Sequence, residues 1–272
     1  MSGILTHNPG TASSRQTFIL ARMFSRRWLL TTLLVLAAMA VMARLGIWQL
    51  DRLAQRRAFN ARVLAQINQQ PLKLAGDTLN ADLANMEYRH VIVLGQYDFS
   101  QEVALRNQAH DNQYGVSLLT PLKIEGSNQS ILVERGWIPA SDFENGNLAK
   151  YHENGTVEVH GLIRQSESKA DFGFRVDPTL APGQERLTTW NFVNVARISQ
   201  QVPYSMLPVY IQESPDPSWT GLPYRSEPSL DLSEGPHMGY AIQWFGFAAL
   251  LGIGYPFYIR KEESRKKRDR EE

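Results

Sequence analysis

The sequence predicts a membrane protein in which two transmembrane helices flank a β-rich, barrel- or sandwich-like extracytoplasmic domain with minor helices. Three observations carry that prediction. An apolar span lies near each end of the 272-residue chain, from about Trp28 to Leu50 and from Met238 to Ile259. Basic residues gather outside both spans. Between them, short β-branched runs alternate with turn residues. The expected order is a basic leader (1–27), a first helix (28–50), the domain (51–236, its last part, 212–236, a Pro-rich linker), a second helix (237–259) and a basic tail (260–272).

The second span is the cleaner one. Its 22 residues carry no formal charge, enough for a hydrocarbon core of ~30 Å at ~1.5 Å per residue. Tyr240 and Trp244 lie near its start, and Tyr255, Phe257 and Tyr258 near its end, as expected for aromatic belts at the two interfaces. Gly246, Gly252 and Gly254 either admit a neighbouring helix or reflect the ordinary glycine content of membrane helices. The first span has a charge-free run of only 16 residues, Trp28 to Ala43. Arg44 then interrupts it, its stem in lipid and its guanidinium at the interface. Ala38-Met39-Ala40 resembles a signal-peptidase site, but the apolar pattern continues past it, which favours an uncleaved helix.

Orientation follows the positive charges. Arg15, Arg22, Arg26 and Arg27 precede the first span, and Arg260, Lys261, Arg265, Lys266, Lys267, Arg268 and Arg270 follow the second. Both termini therefore read as cytoplasmic, or as matrix in a mitochondrion. Arg52, Arg56, Arg57 and Arg62 weaken that bias at the first span, and the tail decides it.

The 186-residue middle is long enough for one core. Strands are expected at Val91–Leu94, Glu102–Leu105, Val116–Leu119, Ile131–Glu134, Val157–His160 and Val209–Ile211. Gly95, Asn107, Pro121, Gly126, Gly136, Pro139 and Gly155 are expected to bound them. Helix is expected past the first span, through Leu53, Val63, Leu64 and Ile67, and again near Val195 to Gln201. Pro215, Pro217, Pro223, Pro228 and Pro236 make the following segment a poor core element.

Composition excludes several functions. Of 28 basic residues, eleven lie in the two flanks; the remaining 17 face 22 acids, a net charge of about −5 between residues 28 and 259. An acidic domain is a poor ligand for nucleic acid, and the basic tail suits anionic membrane lipid. With no cysteine, there is no CxxC redox pair, covalent c-type haem site or thiolate metal relay. P-loop, HExxH, GxSxG and GxGxxG-plus-helix patterns are missing, so the residues give enzymatic activity no support.

Among the histidines, His7 lies in the leader, His90 and His160 fall in or beside strands, and His110 and His152 fall in polar loops. His237 differs by position. It follows Gly235-Pro236 at the outer mouth of the second span. A neutral imidazole there can ligate iron axially, beside apolar and aromatic side chains. Tyr240, Ala241 and Trp244, at +3, +4 and +7, share its helical face. The other reading is an interfacial anchor.

These residues together resemble the Surfeit locus protein 1 family, from Leu45 to Lys261. LGIWQLDRL (Leu45 to Leu53) resembles the family's exit from the first span, and YRHVIVLGQYD (Tyr88 to Asp98) its first strand and turn. GVSLLTPL (Gly115 to Leu122) and VERGWIP (Val133 to Pro139) are the most specific inner motifs. VEVHGLIR (Val157 to Arg164), PVYIQES (Pro208 to Ser214) and HMGYAIQWFGFA (His237 to Ala248) also fit. Glu134 departs from the family, where Asn often precedes Arg-Gly-Trp, and Gly235-Pro236 stands where many members have Asn.

The resemblance implies an assembly factor for haem–copper cytochrome c oxidase, a chaperone and not an enzyme, in a bacterial plasma membrane or a mitochondrial inner membrane. It implies haem a as a transiently bound cofactor, with His237 as axial ligand and Trp48, Tyr240 and Trp244 lining the site. Trp48 is equally an interfacial belt residue. Arg135 is a candidate partner for a haem propionate or a member of a structural ion pair. The implied partners are the catalytic subunit of the oxidase, the haem a synthesis machinery and membrane lipid. A scaffold that holds the oxidase subunit without touching haem, and a membrane-anchored enzyme of unknown reaction, are the alternatives.

Overall fold

The computed structural model describes residues 22–146, 148–168, 176–228 and 230–271. His7 and Arg15 lie outside them. The chain forms two compact units, one built from residues up to Asn60 and from Leu232 onward, the other Ala61–Asp231.

The second unit is β-rich. Its long strands are β2 (His90–Tyr97), β3 (Val103–His110), β4 (Gln113–Ile124), β5 (Gln129–Pro139), β6 (Val157–Gln165) and β8 (Ser205–Glu213), with two-residue pieces β1 (Leu72–Lys73) and β7 (Thr189–Trp190). Five of the six expected runs lie wholly in these long strands; the sixth, Glu102–Leu105, does so from Val103, with Glu102 just before β3. Five strands close a barrel in the order β2-β6-β8-β5-β4 and back to β2. The pairings in this ring are antiparallel except β5–β8, which is parallel.

Closure depends on β2, which pairs with β6 along its length and turns to β4 from Gly95 onward. A Cβ on Gly95 would lie 2.3 Å from the Lys123 carbonyl oxygen, so only glycine permits this approach. Gly95, Asn107, Pro121 and Gly136, expected to bound strands, thus lie inside them. A residue that marks a turn in a flat ladder marks a bulge or a close crossing in a curved one.

Alternation along the strands sorts the side chains. Val91, Val93, Ile131, Val133, Val209 and Ile211 belong to one buried cluster, joined by Leu79 and Leu83 from short 3-10 turns. Leu132 and Tyr210, opposite in parity, join Trp190, Val195 and Ile198 in a second cluster. The expected helix near Val195 is α3 (Val195–Ile198), continued by a 3-10 turn to Gln201; α2 (Ala140–Glu144) follows β5 directly.

The Pro-rich segment is not simply a linker. Its first two residues, Gln212 and Glu213, end β8. Further on, Trp137 N–H donates to the Tyr224 carbonyl at 2.9 Å and Tyr224 N–H donates back at 2.7 Å. Gly136 makes this possible. Its φ of +124° is unfavourable for other residues, and a Cβ there would lie 2.4 Å from the Tyr224 oxygen. Prolines remove donors from a segment without preventing its other residues from pairing.

The helical unit holds α1 (Leu29–Ile67) as far as Asn60, and α4 (His237–Glu271). Both are long and apolar enough to cross a membrane, and only 11% of each apolar window is buried. The core helix of a soluble protein would be mostly covered, whereas Leu30, Leu34, Ile242, Leu250, Ile253 and Phe257 are exposed, as lipid contact requires. α1 runs past its span to Ile67, as the apolar pattern suggested. α4 runs through the basic tail to Glu271, because Lys, Arg and Glu are good helix formers and the tail contains no Gly or Pro.

The two helices pair antiparallel. At one end Trp28 Nε1 donates to Glu263 at 3.1 Å, and Arg22 and Arg27 pair with the same carboxylate. Further along, the hydroxyls of Thr32 and Tyr255 share a hydrogen bond at 2.7 Å. A Cβ on Gly252 would lie 2.8 Å from the Met39 methyl, and one on Gly46 would lie 2.7 Å from the Phe245 ring. Gly252 therefore is a close-approach glycine; Gly246 and Gly254 meet nothing within 4 Å.

Candidate functional site

His237 opens α4, and its position is set by α1. Gln49 Oε1 lies 2.8 Å from His237 Nδ1. Gln49 is buried and His237 half-buried. An amide oxygen only accepts, so Nδ1 of a neutral ring donates and Nε2 keeps its lone pair. Among the described residues, Nε2 has no hydrogen-bond partner.

The chain entering α4 is strapped to the same helix. Arg57 donates to both oxygens of Glu234, each at 2.8 Å, and holds that carboxyl below the usual range. Arg56 Nε donates to the Ser233 carbonyl at 3.0 Å, and Asn60 to the Leu232 carbonyl at 2.5 Å. Gly235 then turns the chain with φ +68°. A Cβ at this position would sit 3.4 Å from His237 Cδ2 and 3.5 Å from Nε2, in ordinary van der Waals contact, so Gly235 packs beside that edge of the ring. In the sequence Arg56 and Arg57 only weaken the charge bias, and their spacing gives no sign of partners 177 residues away.

The other expected site residues are less tightly placed. Trp48 and Tyr240 are 46% and 48% exposed. Trp244 meets the edge of Phe247, with centroids 6.3 Å apart. Among the described residues, none of these rings contacts His237. They offer apolar surface along α1 and α4 without forming a closed pocket.

Arg135 belongs to the β-rich unit and is fully buried. By strand parity it follows Ile131 and Val133, and Glu213 follows Val209 and Ile211, so the apolar rows of β5 and β8 both end in charge. Arg135 pairs with Glu102 at 3.2 Å and Glu153 at 3.0 Å, and donates to the Tyr151 carbonyl. Its guanidinium also lies over Tyr97 and Phe99, 4.9 and 5.1 Å from the ring centroids. Arg225 bridges Glu153 at 3.2 Å to Glu213 at 3.0 Å. Burial raises Glu213 to about 7 against the pull of Arg225, and Glu153 adds to the rise. The ion-pair reading of Arg135 accounts for these contacts, and the propionate reading meets a guanidinium with no exposed surface.

Beside this network lies a cavity of about 190 Å³ lined in part by His110, Ser117, Glu134, Trp137 and Glu213. Burial raises Glu134, which accepts a hydrogen bond from Ser117. His110 is not in a loop as expected but ends β3, stacked on Tyr224 at 3.7 Å. Among the described residues, no hydrogen bond joins His110 to Ser117, Glu134 or Glu213. Among the described residues, no three His, Asp or Glu side chains cluster to hold a metal ion.

A single imidazole whose Nε2 has no hydrogen-bond partner among the described residues could ligate the iron of a metal macrocycle, which supplies its other donors itself. The residues present thus fit a haem.

Fold and helices together define a membrane protein: two candidate spanning helices, one before and one after a closed five-stranded barrel in the chain. A model of the SURF1 family matches residues 36–249. The chain belongs to the SURF1 family. It is 28% identical over 232 residues to a SURF1-like protein of Monosiga brevicollis, covering 81% of this chain and 84% of that one. It is 25% identical over 270 residues to Surfeit locus protein 1 of Xenopus tropicalis (93% and 80% covered). Against Surfeit locus protein 1 of Homo sapiens it is 23% identical over 220 residues (75% and 69% covered).

Proposed function

We propose that the protein is an assembly factor for haem–copper cytochrome c oxidase that holds haem a at the outer mouth of its helix pair and delivers it to the nascent catalytic subunit. The observation that supports this most is His237, fixed through Nδ1 and, among the described residues, without a hydrogen-bond partner on Nε2, beside Gly235. His237 would supply the axial ligand. Trp48, Tyr240 and Trp244 would offer apolar surface to the macrocycle. Arg135 is assigned to the barrel's charge network instead of the propionates. The bound group would contribute its iron and porphyrin to the oxidase; the protein's own residues bind, orient and release it. No covalent bond is made or broken in that task, so the role is a chaperone's and not an enzyme's. The expected setting is a bacterial inner membrane with both termini cytoplasmic, with the mitochondrial inner membrane as the alternative. Expected partners are the oxidase subunit, the haem a synthesis machinery and anionic lipid at the basic tail.

The test is to purify the full chain from cells that make haem a and record its absorption spectrum. Wild type is expected to carry the haem, and His237→Ala to lose it. A wild type that never carries haem in such cells refutes the reading. Undiminished co-purification of the haem-free protein with the oxidase subunit would then favour the scaffold.

A further inference from the structure

We infer that Gln49 is a positioning residue for His237, fixing the imidazole as its Nδ1–H tautomer and leaving the Nε2 lone pair free to ligate. The inference rests on the proposed haem-binding role only for its purpose; the hydrogen bond stands without it. Gln49 lies on α1 within LGIWQLDRL, and the Nδ1···Oε1 distance is 2.8 Å. Gln49 is buried, so its amide oxygen would go unsatisfied if the imidazole turned away. On the other side of the ring, Gly235 carries positive φ, and a Cβ would lie 3.5 Å from Nε2. One ring nitrogen is tied and, among the described residues, the other has no hydrogen-bond partner. An outer partner that holds the non-ligating nitrogen sets tautomer and ring plane, and loss of such partners weakens metal ligation about 10- to 100-fold. Three polar ties between α1 and residues 232–234 bring His237 to this position; Gln49 selects its orientation.

The experiment uses the full-length protein in detergent micelles with 15N-labelled histidine. His237 is assigned by its loss in His237→Ala, and two-bond 1H–15N couplings read its tautomer with no haem present. Wild type is expected to carry the proton on Nδ1. Gln49→Leu and the shorter Gln49→Asn should relax to the mixed tautomers of a free imidazole, and Gln49→Glu, which still accepts, should retain the wild-type signature. Titration with ferric haemin is the second arm. Gln49→Leu should weaken binding about tenfold, and Gln49→Glu should stay close to wild type. A wild-type His237 protonated on Nε2, or an unchanged tautomer in both Gln49→Leu and Gln49→Asn, overturns the inference. A fixed Nδ1–H tautomer in a wild type that takes up no haemin supports the positioning role and counts against the haem reading alone.

Discussion

Replacing Arg135 with methionine separates an ion-pair role from a propionate-binding role. Met retains much of the stem and keeps apolar contact with Tyr97 and Phe99, but it removes the charge shared by Glu102 and Glu153. The two carboxylates are not left equal. Glu153 keeps Arg225 at 3.2 Å and is a quarter exposed. Glu102 is 3% exposed and, among the described residues, retains the Thr120 hydroxyl alone, at 2.5 Å. Removing one partner of a buried pair costs about 3–5 kcal/mol, mostly through the orphaned charge. Arg135→Met should therefore lose about that much stability. Adding Glu102→Gln, whose neutral amide can still bond Thr120, should recover most of the loss, a coupling that a double-mutant cycle isolates. Urea unfolding of the full-length protein, followed by tryptophan fluorescence, measures all three variants. At a temperature where Arg135→Met is folded, its haem content should match wild type. A variant within about 1 kcal/mol of wild type that loses its haem would refute the argument and restore the propionate role.

Two further outcomes follow from the same region. Gly136→Ala should destabilise by about 2–5 kcal/mol, combining positive-φ strain with loss of the paired Trp137–Tyr224 hydrogen bonds; full hydrogen-exchange protection of the Tyr224 amide in the variant would contradict this. Glu213 titrates near 7 in the folded barrel against 4.5 for its ordinary value. The folded state thus binds the extra proton between those values. Its contribution to stability is fully present below pH 4.5 and declines as pH rises through about 7, by about 3 kcal/mol. Glu213→Gln should remove that slope, so the stability difference between wild type and variant should change by this amount across the window. A pH-independent difference would show that the carboxyl is not held up by burial.

The strands and spans were legible because they are local patterns. The apolar run of α1 ends in amphipathic spacing that reaches Ile67, where the helix stops. Each β-branched run forms part of a strand because no neighbouring helix pattern competes. The punctuation residues misled because one glycine can mark either a turn or a crossing; Gly95 and Gly136 show their use only once β4 and Tyr224 lie against them. The site was half legible. His237 announced itself by position, while its partner Gln49 lies 188 residues away. The charge network gave less warning still. Arg135 reads as a candidate ion-pair member, but Glu102, Glu153, Glu213 and Arg225 sit on other strands and loops, and each alone reads as a surface charge.

The polar ties of the helical unit also bear on why His237 holds its place. Trp28 meets Glu263, Thr32 meets Tyr255, Gln49 meets His237, and Arg57 meets Glu234. These pairs step along α1 in one direction and α4 in the other, with the Gly252–Met39 and Gly46–Phe245 approaches between them. Lipid-facing apolar side chains do not by themselves specify register, because lipid is as good a neighbour as leucine. The polar pairs and small residues do. A slip of one helical turn, about 5.4 Å, would separate every pair at once and drive bulk into both glycine positions. Because the ties occupy both ends and the middle of the shared length, no single one has to be strong. The orientation of His237 is thus a property of the paired helices, which hold one imidazole in a fixed place at the end of a lipid-facing span.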